Sequence, residues 1–159
     1  MPKIALDGAA IADSVASGHI DYEVYKITGY TPTYPIYDDD GNYIGTGGGD
    51  PIWGWVGGYN TSATISGTCK STVTNVKIEG KSPIVSGDRT SENDSYTLPE
   101  GRYVGGSHSN AQGSVTGGNS KNVFINGKSV SVNGSSVNTH AGTSTSINGG
   151  VSNSVNIGG

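Results

Sequence analysis

The sequence predicts an all-β fold: a small, closed, pseudo-threefold conical β-prism of short hairpins, with an aromatic-rich insertion after its first loop. Three observations carry this expectation. The composition disfavours helices, a strand-turn-strand phrase recurs along the chain, and the last copy of that phrase is completed at the opposite terminus.

Only 32% of the 159 residues are apolar, 27 are glycine, and Ser, Thr and Asn fill much of the rest. Such residues favour turns and short strands over helices. They build a thin core, so another staple is needed. Cys69 is the single cysteine, which excludes an internal disulfide and leaves a metal ion for that role. The length fits one domain over residues 1–159, with residues 20–62 as an insertion within it.

The net charge of -4, without a Lys/Arg cluster, excludes nucleic acid as a partner. The first twenty residues hold Lys3 and Asp7 and no long apolar run. Neither a signal peptide nor a membrane span is therefore expected, which points to synthesis in the cytoplasm and delivery by another route.

Residues 74–87, TNVKIEGKSPIVSG, match residues 121–134, KNVFINGKSVSVNG, at eight of fourteen positions without a gap. Val76 and Ile78, like Val123 and Ile125, alternate with polar residues, the period of a half-buried strand. Gly80-Lys81 and Gly127-Lys128 mark the turns, and a second strand reaches Gly87 or Gly134. Each copy is a hairpin that enters a loop.

Residues 140–159 match residues 108–127 at eight of twenty positions and end the chain half way through the unit. Its second half stands at the other terminus, where residues 3–8, KIALDG, resemble the strands ending at Gly87 and Gly134. A ring of three leaves explains this split, whereas an open solenoid or a trimeric fibre does not need it. Closure also removes free sheet edges.

A loop follows each of Gly8, Gly87 and Gly134, and each loop contains one of the three histidines, His19, His108 and His140. Imidazole is the commonest metal ligand, and three of them at the narrow end of a threefold ring converge on one ion. For the fourth ligand Cys69 is the soft candidate, although a buried inert thiol also suits its place before Val76. Glu92, Asn93 and water compete with it; Asn93 stands six residues after Gly87, as His140 does after Gly134.

With these histidines, the phrase NVFINGK at 122–128 and the phrase VSGD at 85–88, the chain resembles the PAAR-repeat spike-tip proteins of contractile phage tails, type VI secretion systems and related injection particles. The family's strand-turn motif matches residues 122–128 closely and residues 75–81 loosely. Where Pro-Ala-Ala-Arg would stand, the chain has SPIV at 82–85 and SVSV at 129–132, so it reads as a divergent member. The resemblance covers residues 1–19 and 63–159.

The resemblance implies a monomer seated on a trimeric β-helical spike, its point holding one structural zinc or iron ion and briefly meeting the target cell envelope. His19, His108 and His140 take the ligand role by position. Cys69 does not align with the family cysteine, whose place is taken by His140. The implied location is a virion tail or another contractile injection particle, acting outside the producing cell.

The insertion carries seven of nine tyrosines and both tryptophans. Asp40-Gly41, between Tyr37 and Tyr43, reads as a hairpin turn. A calcium loop at residues 38–42 lacks the spacing and the bidentate glutamate of an EF-hand. The preferred reading of the aromatics is that they pack the insertion against the side of the cone, since a long glycine-rich segment needs large side chains to order it. The rival is a glycan- or protein-binding module.

No Gly-x-Ser-x-Gly elbow appears, and Gly45-Thr46-Gly47-Gly48-Gly49-Asp50 lacks the Gly-Lys-Ser/Thr ending of a phosphate loop. The expected role is structural and not enzymatic.

Overall fold

The computed structural model describes residues 1–158. They form β-strands and connecting turns, with no helix among the described residues. In chain order the strands are β1 (Lys3–Ala5), β2 (Ser14–Tyr30), β3 (Tyr34–Tyr37), β4 (Tyr43–Gly47), β5 (Pro51–Lys70), β6 (Arg89–Ser95), β7 (Arg102–Gly105), β8 (Ser114–Gly117), β9 (Phe124–Ile125), β10 (Lys128–Ser129), β11 (Ser136–Asn138), β12 (Ser144–Ser146) and β13 (Val151–Asn156). A curled seven-stranded sheet runs in the order β12-β11-β8-β6-β5-β2-β7, beside three two-stranded pairs, β1-β13, β9-β10 and β3-β4.

The repeat is visible in the backbone. Ala5 donates to Ser131 at 2.9 Å, Ser131 to Ile84 at 2.8 Å, and Ile84 back to Ala5 at 2.9 Å. These residues hold the same position in the three second strands, so three hydrogen bonds close a ring across the three leaves. Bridges flank it in the same cyclic order, at Ile4 and Val132, Leu6 and Pro83, and Val85 and Val130.

The termini complete one leaf together. Lys3 pairs with Asn156, and the Ile157 amide donates to the Pro2 carbonyl at 2.8 Å, as Ile78 does to Lys81 at 2.8 Å in the second leaf. The turns obey their residues: Glu79-Gly80 at φ 53° and 78°, and Asn126-Gly127 at φ 51° and 78°, lie in the left-handed region a tight hairpin turn requires.

Neighbouring leaves are clasped at these turns. The Asn75 and Asn126 amides exchange hydrogen bonds at 3.1 and 3.0 Å. Glu79 reaches Ser152 and Ser154 on the final strand.

Three apolar clusters form the core, and the ring residues Ala5 and Ile84 belong to one of them. Ile4, Leu6, Val73, Val85, Val130, Val132 and Ile157 form one. Ala5, Ala9, Ile11, Cys69, Ile84, Val115, Val137 and Ile147 form the next. Ala16, Ile20, Ala63 and Ile65 lie nearest the histidines.

The insertion is an arm. β2 and β5 run unbroken through residues 20 and 62, so the extra segment begins and ends inside strands, with Asp21 opposite Asn60 and Tyr30 opposite Pro51. β3 and β4 form a second hairpin within the insertion. Its turn is held by Asp38, whose Oδ1 accepts from the Asp40 and Asn42 amides at 3.0 and 2.7 Å. That is an Asx turn. Hydrogen bonds from the backbone and side chain of Asn42 hold the Asp38 carboxyl below the usual range.

The expected packing of the aromatics against the body holds for Tyr22 at the root of the insertion, which is buried, and not for the aromatics farther out. Tyr25, Tyr30, Tyr34, Tyr37, Tyr43, Trp53 and Trp55 are all exposed. Tyr25 stands opposite Trp55, and Ile27 opposite Trp53. The rings therefore order the arm by stacking across its own two strands, Tyr25 with Trp53 at 5.8 Å and with Trp55 at 5.2 Å. Arg102 covers Trp55 at 4.1 Å.

Candidate metal centre

Each histidine reaches the site by a different local device. On β2 the register slips between Ala16, opposite Ala63, and Ile20, opposite Thr61. This bulge re-aims His19, as bulges do. His140 sits in the turn between β11 and β12, closed by Thr139 donating to the Thr143 carbonyl at 2.9 Å.

His108 lies far along its loop and returns to the site by a hairpin. β6 leads away, β7 pairs with β2 through Tyr103 opposite Tyr22 and Gly105 opposite Asp21, and the chain then comes back so that the Asp94 amide donates to the His108 carbonyl at 3.1 Å.

The three rings form a nearly equilateral triangle, with centroid separations of 5.4, 5.5 and 5.1 Å. Asp94, on β6, stands among them. His19, Asp94, His108 and His140 each offer one ligand atom, and these atoms lie within 4.8 Å of one another. The group is able to hold a metal ion.

Asp94 Oδ2 is well served: it accepts from the His108 amide at 2.8 Å and meets His19 Nε2 at 3.1 Å and His108 Nδ1 at 3.3 Å. Asp94 Oδ1 and His140 Nε2 are different. Both are buried without a hydrogen bond, and they face each other at 3.2 Å. Orphaned polar atoms at this depth are costly and call for a partner. A cation that takes lone pairs from both is the partner their chemistry fits.

Burial pushes the Asp94 carboxyl up, but the His108 amide, the charge of His140 and the hydrogen bonds from His19 and His108 outweigh it and hold it below the usual carboxylate range. Asp94 is thus held in the ionised form that metal ligation requires. Access is one-sided: the Asp94 side chain is 0% exposed and that of His140 9%, while that of His108 is 52% exposed.

The three histidines singled out in the sequence come together, and the carboxylate beside them is Asp94 rather than the expected Cys69. Cys69 lies outside the group, buried in the middle apolar cluster. Its carbonyl accepts from Gly8 at 2.9 Å as Val115 accepts from Gly87 at 3.0 Å and Ile147 from Gly134 at 2.8 Å. It therefore fills an apolar position of the repeat. Burial, then the charges of Asp88, Glu92 and Asp7, push its thiol up to about 12, and a thiol so protonated is a poor ligand.

Of the competitors, Asn93 is turned outward and accepts from the Asn110 amide at 3.1 Å. Glu92 is buried behind His140. Asp94 was the residue missed. The signal for it was the two-residue period of β6, which places Thr90, Glu92 and Asp94 on the inward face and Asn93 on the other.

A ligand set of three imidazoles and one carboxylate suits zinc or ferrous iron. Bound there, such an ion would cross-link β2, β6, the loop before β8 and the turn before β12. Comparisons with protein-family models, with curated proteins and with solved structures find nothing that matches this chain.

Proposed function

We propose that this protein is the metal-stabilised tip of the central spike of a contractile injection particle, a divergent relative of the PAAR-repeat proteins. In this reading it sits as a monomer on a trimeric β-helical spike and helps the spike breach a target cell envelope. The observation that carries the reading is the convergence of His19, His108 and His140, one from each leaf, around Asp94.

The role is mechanical and non-catalytic. Local opening begins where loops are loosely held, and each of the three histidines stands in the loop that follows the second strand of its leaf. A zinc or iron ion bound by all three loops would keep them from fraying under load. The ring of hydrogen bonds through Ala5, Ile84 and Ser131 supports the match to a threefold partner, because it offers three equivalent faces.

Mixing the purified chain with the trimeric β-helical spike protein of the same source tests the reading. One chain per spike trimer, by light scattering after size exclusion, is the expected result. Absence of any complex, with both partners folded, would overturn it.

A second reading is favoured by one observation, the exposed strip of Tyr25, Trp53 and Trp55. Here the arm grips a glycan or another particle subunit. Glycan-array binding that is lost on deleting residues 23–58 would promote it over the first.

A further inference from the structure

Glu92 is the buried acid that the four ligands leave unexplained. Its side chain is 0% exposed, and its ion-pair partner among the described residues is His140. Burying an unpaired carboxylate costs several kcal/mol, so its hydrogen bonds should reveal its purpose.

They fix a direction. Thr90 Oγ1 accepts from the Gly113 amide at 2.8 Å, which frees the Thr90 hydroxyl hydrogen for Glu92 Oε1 at 2.5 Å. Glu92 Oε2 accepts from the His140 amide at 2.8 Å and stands 2.6 Å from His140 Nδ1. An ionised carboxylate can only accept. His140 therefore donates from Nδ1, which leaves Nε2, 3.2 Å from Asp94 Oδ1, as the ring nitrogen available to ligate an ion.

We propose that Glu92 is the positioning carboxylate of the metal centre: it locks His140 in the Nδ1-protonated tautomer, aims Nε2 at the ion, and adds a second buried negative charge. This inference rests on the metal reading above. Carboxylate-histidine-metal relays of this kind orient the ring and raise its basicity.

The test uses chelator-stripped full-length protein titrated with zinc ions against a chromophoric competitor, together with nitrogen-15 NMR of labelled histidine. Zinc-loaded wild type should show His140 protonated at Nδ1 and metal-bound at Nε2. Glu92→Gln, which keeps the shape and removes the charge, should bind zinc about 10–100-fold more weakly.

Equal affinity in folded Glu92→Gln would overturn the proposal, as would zinc on Nδ1 of His140 in the wild type. Should Glu92→Gln fail to fold by circular dichroism, the wild-type tautomer still decides. Wild type that binds no zinc at all would instead remove the metal reading itself, a separate outcome.

Discussion

His140 Nε2 and Asp94 Oδ1 face each other at 3.2 Å, buried and without a hydrogen bond. Burying both atoms without a partner costs stability, and a cation bound by both would relieve that cost. Ion binding to the folded state alone stabilises it by mass action, about 2.7 kcal/mol at a hundredfold excess over Kd. Stripping the ion should lower Tm by about 5–10 °C. Calorimetry with and without chelator checks this, and His140→Ala should behave as stripped protein in either condition.

Cys69 fills an apolar position of the repeat, so Cys69→Ala is expected to keep a full complement of metal while losing about 1–2 kcal/mol of stability to the cavity. Elemental analysis and urea unfolding of the same sample separate the two effects. The native thiol should resist alkylation, because it is buried and protonated.

Glu79 accepts from the Ser152 and Ser154 hydroxyls and from the Asn153 and Ser154 amides. Led by the Ser154 and Ser152 hydroxyls, these bonds lower its carboxyl from 4.5 to about 2. A carboxyl depressed on folding stabilises above its unfolded value and loses that contribution as pH falls through the folded one. The stability gap between metal-free wild type and Glu79→Gln should thus be constant above pH 4.5 and shrink between 4.5 and about 2. Denaturant midpoints across that window measure it.

The arm is expected to be dispensable for the body. Replacing residues 23–58 by Asn-Gly joins Tyr22 and Tyr59, which already face each other, through a turn suited to a hairpin. Zinc stoichiometry should be unchanged. Trp53→Ala in the full chain should shift stability by about 0.5 kcal/mol or less, as expected for an exposed site.

Gly113 has no room for a side chain: a Cβ there would meet Glu92 Oε1 at 2.3 Å and the Asn138 carbonyl at 2.4 Å. Gly113→Ala should cost about 1–3 kcal/mol. It should also weaken zinc binding, because it displaces the carboxylate behind His140. Unchanged zinc affinity in a destabilised but folded variant would separate packing from positioning.

Much of the fold was legible because the repeat is written in residues that the backbone itself needs. Gly80 and Gly127 mark turns at positive φ, and Val76, Ile78, Val123 and Ile125 all pack on one apolar cluster. The half unit at each terminus anticipated the pairing of Lys3 with Asn156. The arm was legible as an insertion but not as an extended ribbon. Its aromatics are spaced to stack on one another across two strands, and a single sequence does not say which rings will face.

The all-β class, the repeat and the three histidine loops were legible in the residues alone, since turn chemistry, strand period and repeat offset are local properties. Which side chain stands beside the histidines was set by the pairing of strands distant in sequence. Cys69 and Asp94 lie on the adjacent strands β5 and β6, and which one enters the site depends on the register that sets Cys69 opposite Thr90 and Ile65 opposite Asp94. That register buries the thiol in the apolar cluster and carries the carboxylate to the histidines, so the chemistry of the site follows from strand pairing and not from the softness of the ligand.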